Sequence, residues 1–301
     1  MYVWQDSRMS GLPAAVEELQ GDREHGASWM ARRAVETLLD ISQERFENSE
    51  ALVDGLIDAG RKLAESRPGV GAIAGATGRV LAAANAHRFL DVDELRRLIG
   101  EEGEALLDGR RRAAVSIAIQ LQDQLRDSVV ATHSASATVR EAFLHTPPAR
   151  AICTVSEPIG EGRAFADELR AEGLSVDLVE DAEAPAAFGD ATLFLIGADT
   201  VYRDGTLCNK IGTTALAEAA RGHGMPTVVA CEIVKLAPID AASAPELSEA
   251  ERSLFELTSP DLIAEIVTEE GSVSSDGVGA LVDRTPFLRE GYALLLPAAA
   301  L

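Results

Sequence analysis

The sequence predicts an α/β protein, with an N-terminal helical domain over residues 1–125 followed by a Rossmann-like parallel-sheet domain over residues 126–301. In the first part, apolar side chains recur at helical spacing with scarcely any strand-like run, so four or five helices are expected. From about Asp127, short β-rich runs alternate with helical patterns, which is typical of right-handed βαβ units and a parallel sheet. A chain of 301 residues is long enough for two such domains, although one large α/β domain would also fit.

Proline and glycine divide the helical part. Arg67-Pro68 places a proline in the first turn of a new helix. The small residues of segment 71–78 favour close approach of two helices over a dinucleotide loop, since they follow no strand and lack the G-x-G-x-x-G spacing. Three glycines further on are expected to break the helical pattern: Gly100, Gly103 and Gly109.

Hydrophobic runs and helical patterns alternate in the second part. The predicted strands are 128–131, 152–155, 174–179, 192–196 and 227–231. The predicted helices between them are 138–144, 163–172 and 213–222. Segment 238–257 is acidic and alanine-rich and is expected to be a surface loop or a short helix, and segment 260–267 is expected to be one more helix.

The charge balance restricts the class of partner. The formal charge is −22, from 49 acidic and 27 basic residues, which argues against direct binding to nucleic acid or to an anionic membrane. Only three basic residues are lysines, at Lys62, Lys210 and Lys235. An acidic, lysine-poor chain is expected of a halophile's cytosolic protein, in which concentrated salt screens the repulsion between carboxylates. An acidic mesophilic protein is the alternative.

Cysteine spacing and hydropathy bound the compartment and the chemistry. Cys153, Cys208 and Cys231 are odd in number and lack metal-type spacing, so neither a disulfide framework nor a metal site is expected. A P-loop sequence is also missing, and no cofactor is predicted. No apolar run approaches about 18 residues and the N-terminus does not resemble a signal peptide, so a cytoplasmic protein without membrane contact is expected.

A candidate ligand site follows the fourth predicted strand. Its polar and glycine residues are Asp199, Asn209, Lys210, Gly212, Thr213 and Lys235. Backbone N–H groups and one ammonium are expected to converge on an anion at the start of helix 213–222. An aspartate after a strand is more commonly only a turn cap, but its neighbours here indicate a phosphorylated or polyhydroxylated small ligand.

Thr132, His133 and Ser134 end the first predicted strand. With Asp199 they contain the residue types of a hydrolase triad, but adjacent side chains on a strand end point in different directions and no G-x-S-x-G elbow surrounds Ser134. Satisfying backbone groups at a strand end is the common role of such residues. An intermediate interpretation is that they line the same crevice as Asp199.

At these residues the chain resembles the family of translation initiation factor 2B alpha, beta and delta subunits, and in its composition a haloarchaeal member. The enzymes of that family are ribose-1,5-bisphosphate isomerase and methylthioribose-1-phosphate isomerase. The motifs that carry the resemblance are His25-Gly26-Ala27-Ser28, Ser66-Arg67-Pro68, Thr132-His133-Ser134, Gly197-Ala198-Asp199, Asn209-Lys210-Ile211-Gly212-Thr213, Pro260-Asp261-Leu262-Ile263 and Thr268-Glu269-Glu270-Gly271. The resemblance implies a helical domain, a Rossmann-like domain and dimerisation through the latter.

For the isomerases, the resemblance implies a catalytic cysteine at the T-H-C position working with the aspartate Asp199. That position is Ser134 here, and a hydroxyl, unlike a thiol with a pKa near about 8.5, stays protonated at neutral pH. Two arginines that hold phosphate in the family correspond to His25 and to Glu157, whose carboxylate would repel a phosphate. Arg163, one helical turn on, is a candidate to compensate.

The sequence therefore favours a non-catalytic member similar to the alpha-type subunits. Asp199 and Ser134 occupy the catalytic positions, and the expected ligand-binding residues are His25, Gly26, Ala27, Arg67, Thr132, His133, Asn209, Lys210 and Lys235. The expected partners are a sugar phosphate or nucleoside monophosphate, further copies of the chain in a homodimer or higher oligomer, and other initiation-factor subunits. The first alternative is an aldose-ketose isomerase that converts ribose 1,5-bisphosphate or a related sugar 1-phosphate, and the second is a structural interaction protein without a ligand.

Overall fold

The computed structural model describes residues 11–296 of the chain, beginning with five helices. These are α1 (Leu12–Gly21), α2 (Ala27–Ser42), α3 (Ser49–Ser66), α4 (Gly71–Ala86) and α5 (Val92–Leu125). Two of the helices begin at side-chain caps, since Asn48 accepts a hydrogen bond from the Ala51 N–H and Asp91 accepts from the Asp93 and Glu94 N–H groups. The five helices agree with the four or five predicted, but Pro68 lies in the turn between α3 and α4 and not in the first turn of a helix.

Helix α5 runs uninterrupted for 34 residues, so the expected breaks at Gly100, Gly103 and Gly109 are wrong. A glycine inside a helix costs only about 1 kcal/mol relative to alanine. The buried face that includes Leu95 and Ile99 anchors the helix through this region, and tertiary packing outweighs that cost.

Helix α4 lies at the centre of the helical part, where its small residues allow close contacts on more than one side. Gly78 lies against the backbone of Gly291, and Gly75 lies directly under the carbonyl of Val234. The close approach between helices predicted for segment 71–78 is therefore observed at Gly78, because Gly291 belongs to a C-terminal helix. Val234 packs in the core of the helical part, although it comes from the second part of the chain.

The second part contains eleven strands and seven α-helices within the described residues. The strands are β1 (Val129–Thr132), β2 (Arg150–Thr154), β3 (Val176–Val179), β4 (Leu193–Ile196), β5 (Thr200–Tyr202), β6 (Leu207–Lys210), β7 (Thr227–Ala230), β8 (Leu236–Ala237), β9 (Phe255–Thr258), β10 (Glu265–Thr268) and β11 (Gly271–Val273). The helices are α6 (Ala137–His145), α7 (Glu161–Ala171), α8 (Ala184–Ala187), α9 (Thr213–Gly222), α10 (Glu249–Arg252), α11 (Val278–Asp283) and α12 (Pro286–Leu295).

Seven strands form one sheet in the order β11-β10-β7-β4-β1-β2-β3, and only β11 runs antiparallel to its neighbour. The chain builds outward from β1 to β3, then returns to the other side of β1 with β4. The strand order therefore reverses between β1 and β4, where ligands bind in Rossmann-like folds. This arrangement confirms the predicted fold class, a helical part followed by a Rossmann-like parallel sheet.

The second part also differs from the sequence prediction. Four of its elements were not predicted, namely α8, β11, α11 and α12, and two regions were assigned differently. Segment 260–267 is not a helix: a single 3₁₀ turn, Pro260–Leu262, leads into β10, which pairs in parallel with β7. Strands β8, β5, β6 and β9 form a second, four-stranded sheet that was not predicted, and it places Asn209 and Lys210 on a strand instead of a loop. Segment 238–257 supplies the short helix α10 and the start of β9.

Candidate functional site

A cavity of about 310 Å³ lies beside the carboxyl ends of β1 and β4, and the segment that leads into α2 closes its other side. Its volume is at the lower end of the range of about 300–1,000 Å³ that is typical of small-molecule sites. The cavity gathers all but one of the predicted site residues: His25, Gly26, Ala27, Arg67, His133, Ser134, Asp199, Asn209, Lys210 and Lys235. Thr132 is the exception, since it does not line the cavity, and its buried hydroxyl oxygen has no hydrogen-bond partner within the described part of the chain.

Asp199 stands three residues beyond the end of β4, and its backbone N–H donates to the Cys208 carbonyl. Burial raises the pKa of its carboxyl group to about 6, although the positive charges of Lys235 and Arg67 act in the opposite direction. Lys235 is itself buried and donates to the Ala198 carbonyl, 2.8 Å away. A carboxyl group with this pKa can exchange a proton near neutral pH, and can also hold a ligand hydroxyl.

Glu161, which the sequence analysis missed, joins two of the predicted residues. One carboxylate oxygen accepts a hydrogen bond of 2.6 Å from the Ser134 hydroxyl, and the other accepts one of 2.9 Å from the Lys210 ammonium. Glu161 is the first residue of α7, the helix that follows β2, and carboxyl ends of parallel strands meet at one edge of the sheet. Its place directly after β2 could have indicated from the sequence that Glu161 lies near the site. The contact of Glu161 with Lys210 could not be foreseen, because it depends on the unpredicted strand β6.

His133 connects neighbouring elements of the site. Its Nε2 lies 2.9 Å from the Ile211 carbonyl, which can only accept, so Nε2 carries the proton and Nδ1 accepts from the Thr154 hydroxyl at 2.6 Å. Burial lowers the pKa of His133, which keeps the ring neutral. Since both ring nitrogens are engaged, His133 is held as a positioning group between β1, β2 and the segment after β6.

The expected anion site at the start of α9 is already filled by a carboxylate of the chain. Glu256 on β9 accepts hydrogen bonds from the N–H groups of Gly212, at 3.0 Å, and Thr214, at 2.8 Å. The Thr213 hydroxyl turns back to the Lys210 carbonyl. The prediction that these N–H groups bind an external anion is therefore wrong. Lys210 faces the cavity instead, as part of β6.

The helical part contributes a second donor group. Arg67 is buried, donates to the carbonyls of Leu19 and Asp22, and lies with its guanidinium 5.6 Å from the ring centre of Phe255. Its Nε has no hydrogen-bond partner among residues 11–296, and the Glu251 carboxylate is 3.8 Å away. A buried guanidinium N–H without a hydrogen bond is costly, and the Glu251 carboxylate offsets part of that cost through its charge.

His25 lies at the mouth of the cavity, in front of the first turn of α2. Its Nδ1 is 2.7 Å from a carboxylate oxygen of Asp22, and its ring stacks on Trp29 with the ring centres 4.0 Å apart. Gly26 is the residue before the helix, and no hydrogen bond within the described chain uses the N–H groups of Ala27 and Ser28. The first turn of α2 is therefore a helix N-terminus that can accept an anion.

Glu157 and Arg163 do not take part in the cavity lining. Arg163 is half-exposed and lies 3.9 Å from the Glu157 carboxylate and 3.3 Å from that of Glu180. The expectation that Arg163 replaces the missing phosphate contact is therefore wrong. Arg163 comes two residues after Glu161 on α7, and side chains two apart on a helix point in different directions.

No cysteine lines the cavity. Cys153, Cys208 and Cys231 are all buried, and burial raises the pKa of Cys153 and of Cys231 to about 12 and that of Cys208 well above its usual value. The described part of the chain, residues 11–296, contains no cluster of His, Cys, Asp and Glu side chains suited to a metal ion, and no helix long and apolar enough to cross a membrane.

Comparison with known proteins agrees with this fold. Residues 23–253 match the model of the Initiation factor 2 subunit family. The chain is 31% identical to a putative translation initiation factor eIF-2B subunit 2-like protein of Pyrococcus furiosus, over 86% of this chain and 94% of that protein. It is 25% identical to the ribose 1,5-bisphosphate isomerase of Archaeoglobus fulgidus, over 95% of each chain.

Among solved structures, the chain is similar to a chain of the tetrameric eIF2B-beta2-delta2 complex from C. thermophilum, with a TM-score of 0.76 and 20% identity over 94% of this chain and 99% of that one. At this level of identity, the likeness concerns the fold alone. The family contains both initiation-factor-like proteins and sugar-phosphate isomerases. From the family match and these relatives together, the chain belongs to the Initiation factor 2 subunit family.

Proposed function

We propose that this chain is a non-catalytic member of its family, similar to the alpha-type subunits, and that it binds a sugar phosphate or a nucleoside monophosphate in the cavity at the ends of β1 and β4. The observation that carries the proposal is the composition of that cavity. It combines buried cations, a carboxylate and an amide suited to hydroxyl groups, and it contains no thiol.

The phosphate is expected at the end of the cavity formed by Arg67 and the first turn of α2. Arg67 contributes a buried positive charge to the cavity lining, and the N–H groups of Ala27 and Ser28, which have no acceptor among residues 11–296, add a helix N-terminus. The sugar hydroxyls are expected at Asp199 and Asn209, which lie deeper beside β4 and β6. A carboxylate and an amide are the usual partners of ligand hydroxyl groups.

The absence of catalysis is inferred from the Ser134 position. Its hydroxyl donates to Glu161, and neither nitrogen of the neighbouring His133 is free to remove its proton. The alternative activity, aldose-ketose isomerisation of ribose 1,5-bisphosphate, has one observation in its favour, because the pKa of Asp199, about 6, suits proton transfer. If the wild type converts ribose 1,5-bisphosphate to ribulose 1,5-bisphosphate and Asp199→Ala does not, the chain is an isomerase and not only a binding protein.

Isothermal titration calorimetry with ribose 5-phosphate and AMP in concentrated KCl tests ligand binding. We expect heat of binding from at least one of them, and an affinity at least about tenfold weaker in Asp199→Ala. The control is Asp261→Ala, because Asp261 pairs with Arg221 and does not line the cavity. If the wild type gives no heat, or if both variants bind equally well, the site has been assigned wrongly.

We also propose that the chain dimerises through residues 126–301, or assembles with other initiation-factor subunits, in the cytoplasm of a halophile. Support comes from the acidic composition and from the tetrameric complex named for one structural relative. Analytical ultracentrifugation in concentrated KCl tests the self-association, with a dimer or larger species expected and a monomer contradicting it. A purely structural role predicts instead that Lys210→Ala alters assembly without affecting any ligand.

A further inference from the structure

Glu161 places a negative charge of the chain itself inside the cavity. Its carboxylate bridges the Ser134 hydroxyl and the Lys210 ammonium, with distances of 2.6 and 2.9 Å. The exposed fraction of the side chain is 5% for Lys210 and 22% for Glu161, so the ion pair is largely removed from solvent. Within this pair, the positive charge of Lys210 is already compensated before any ligand enters.

We propose that Glu161 determines ligand specificity, by occupying the anion position beside Lys210 and so restricting the cavity to ligands that carry a single phosphate. This inference rests on the ligand site proposed above. It adds that a bisphosphate is disfavoured, and that the group of the ligand facing Glu161 is a hydroxyl instead of a second phosphate.

The charges around the cavity divide it into two unlike ends. Lys210 is hydrogen-bonded to a carboxylate at 2.9 Å, whereas Arg67 lies 3.8 Å from the Glu251 carboxylate and Lys235 donates to the uncharged Ala198 carbonyl. A phosphate at the Arg67 end therefore meets a cation with a more distant carboxylate, together with the first N–H groups of α2. A phosphate near Lys210 would have to displace Glu161 or lie against it.

Two carboxylates would oppose a second phosphate at the Lys210 end. Glu161 and Asp199 are close enough for the charge of the first to raise the pKa of the second, and both line the cavity. In a site of low solvent exposure, two carboxylates repel a phosphate strongly. They favour a ligand group that is neutral or positively charged. A hydroxyl fits there, because each carboxylate oxygen has a further lone pair that can accept its hydrogen.

The alternative is a purely structural ion pair, in which Glu161 ties α7 to β6 and has no influence on ligand choice. Glu161 is the first residue of α7, where a negative charge also stabilises the helix. The two roles differ in one measurable property. A structural ion pair affects the stability of the fold, whereas a specificity residue changes the ratio of affinities for two ligands.

The test compares ribose 5-phosphate with ribose 1,5-bisphosphate by calorimetry, for the wild type, Glu161→Gln and Glu168→Gln. Glutamine keeps the size of Glu161 and removes its charge. Its amide oxygen can still accept from Lys210, and its NH2 group can donate to the Ser134 hydroxyl, which then accepts instead of donating. Glu168 is the matched control, because it lies on the same helix, lines the same cavity and pairs with Arg140. Unfolding by denaturant is measured in parallel for the three proteins.

We expect the wild type to bind the monophosphate more tightly, and Glu161→Gln to shift the affinity ratio towards the bisphosphate by about tenfold or more. Glu168→Gln should shift that ratio much less. If the wild type binds the two ligands equally, or if the two variants shift the ratio equally, the inference about Glu161 is wrong while ligand binding stands. If none of the three proteins binds either ligand, both the inference and the proposed function are wrong.

Discussion

Replacing Asp199 by asparagine should stabilise the folded protein at neutral and alkaline pH. Burial raises the pKa of this carboxyl group from 3.8 to about 6, so the folded chain holds a proton that the unfolded chain has already released. Between about pH 4 and pH 6, the wild type therefore loses stability as the pH rises. Asparagine resembles the protonated carboxyl group and does not titrate, so Asp199→Asn avoids this loss.

The size of the effect follows from the pKa difference. At about 1.4 kcal/mol per pKa unit, the change from 3.8 to about 6 corresponds to about 3 kcal/mol as an upper limit. Asp199 lines a cavity and is only partly buried, so solvent screening reduces this value. We expect Asp199→Asn to be more stable than the wild type by about 1–3 kcal/mol above pH 6, and nearly equal to it below pH 4.

Urea unfolding at a series of pH values, all at one KCl concentration, measures this difference. Asp261→Asn is the control, since Asp261 is exposed and its hydrogen bonds to Ser259 and Arg221 lower its pKa. The control should show no such gain at high pH. If the stability difference between Asp199→Asn and the wild type does not change with pH, or grows as the pH falls, then the pKa of Asp199 is not raised in the folded protein.

Three further predictions concern the fold. Gly75→Ala should destabilise the protein by about 1–3 kcal/mol, because the added methyl group would collide with the Val234 carbonyl, whereas Gly100→Ala, in open space on α5, should gain up to about 1 kcal/mol. Glu232→Gln should lower the free energy of unfolding by about 3–5 kcal/mol, because it removes the negative partner of Arg110 from a nearly buried ion pair of 2.6 Å. Unfolding by denaturant measures all three variants. A loss of stability below about 1 kcal/mol for Gly75→Ala or Glu232→Gln would contradict these predictions. The melting temperature should rise steeply with KCl, because the formal charge of −22 repels itself, and a melting temperature independent of KCl would exclude this effect.

The sequence contained enough information for five of the seven strands of the central sheet, but not for β10, β11 or the second sheet. β1, β4 and β7 are runs of four residues, nearly all apolar and buried, and such runs are visible in the sequence. β5 and β8 have three and two residues, which is too short for any periodicity to show. Segment 260–267 was misassigned because its apolar residues fit both a helix and a strand, and its pairing with β7 decided between them.

The site was predictable where the residues follow strands of the central sheet. Ser134 and Asp199 follow adjacent parallel strands, so their meeting at one edge was expected. The partners of Lys210 were not predictable, because β6 brings it beside Glu161 only through the second sheet. The occupation of the start of α9 was also not predictable, because Glu256 lies on a strand more than forty residues further along the chain.

Calorimetric titration of the wild-type protein with ribose 5-phosphate and AMP in concentrated KCl, with the products analysed after each titration, distinguishes ligand binding from catalysis. We expect saturable binding of about one ligand per chain, with the ligand recovered unchanged. Binding should weaken in Asp199→Ala and persist in Asp261→Ala. Absence of heat with both ligands, or recovery of a ketose phosphate in place of the added sugar, would contradict the account.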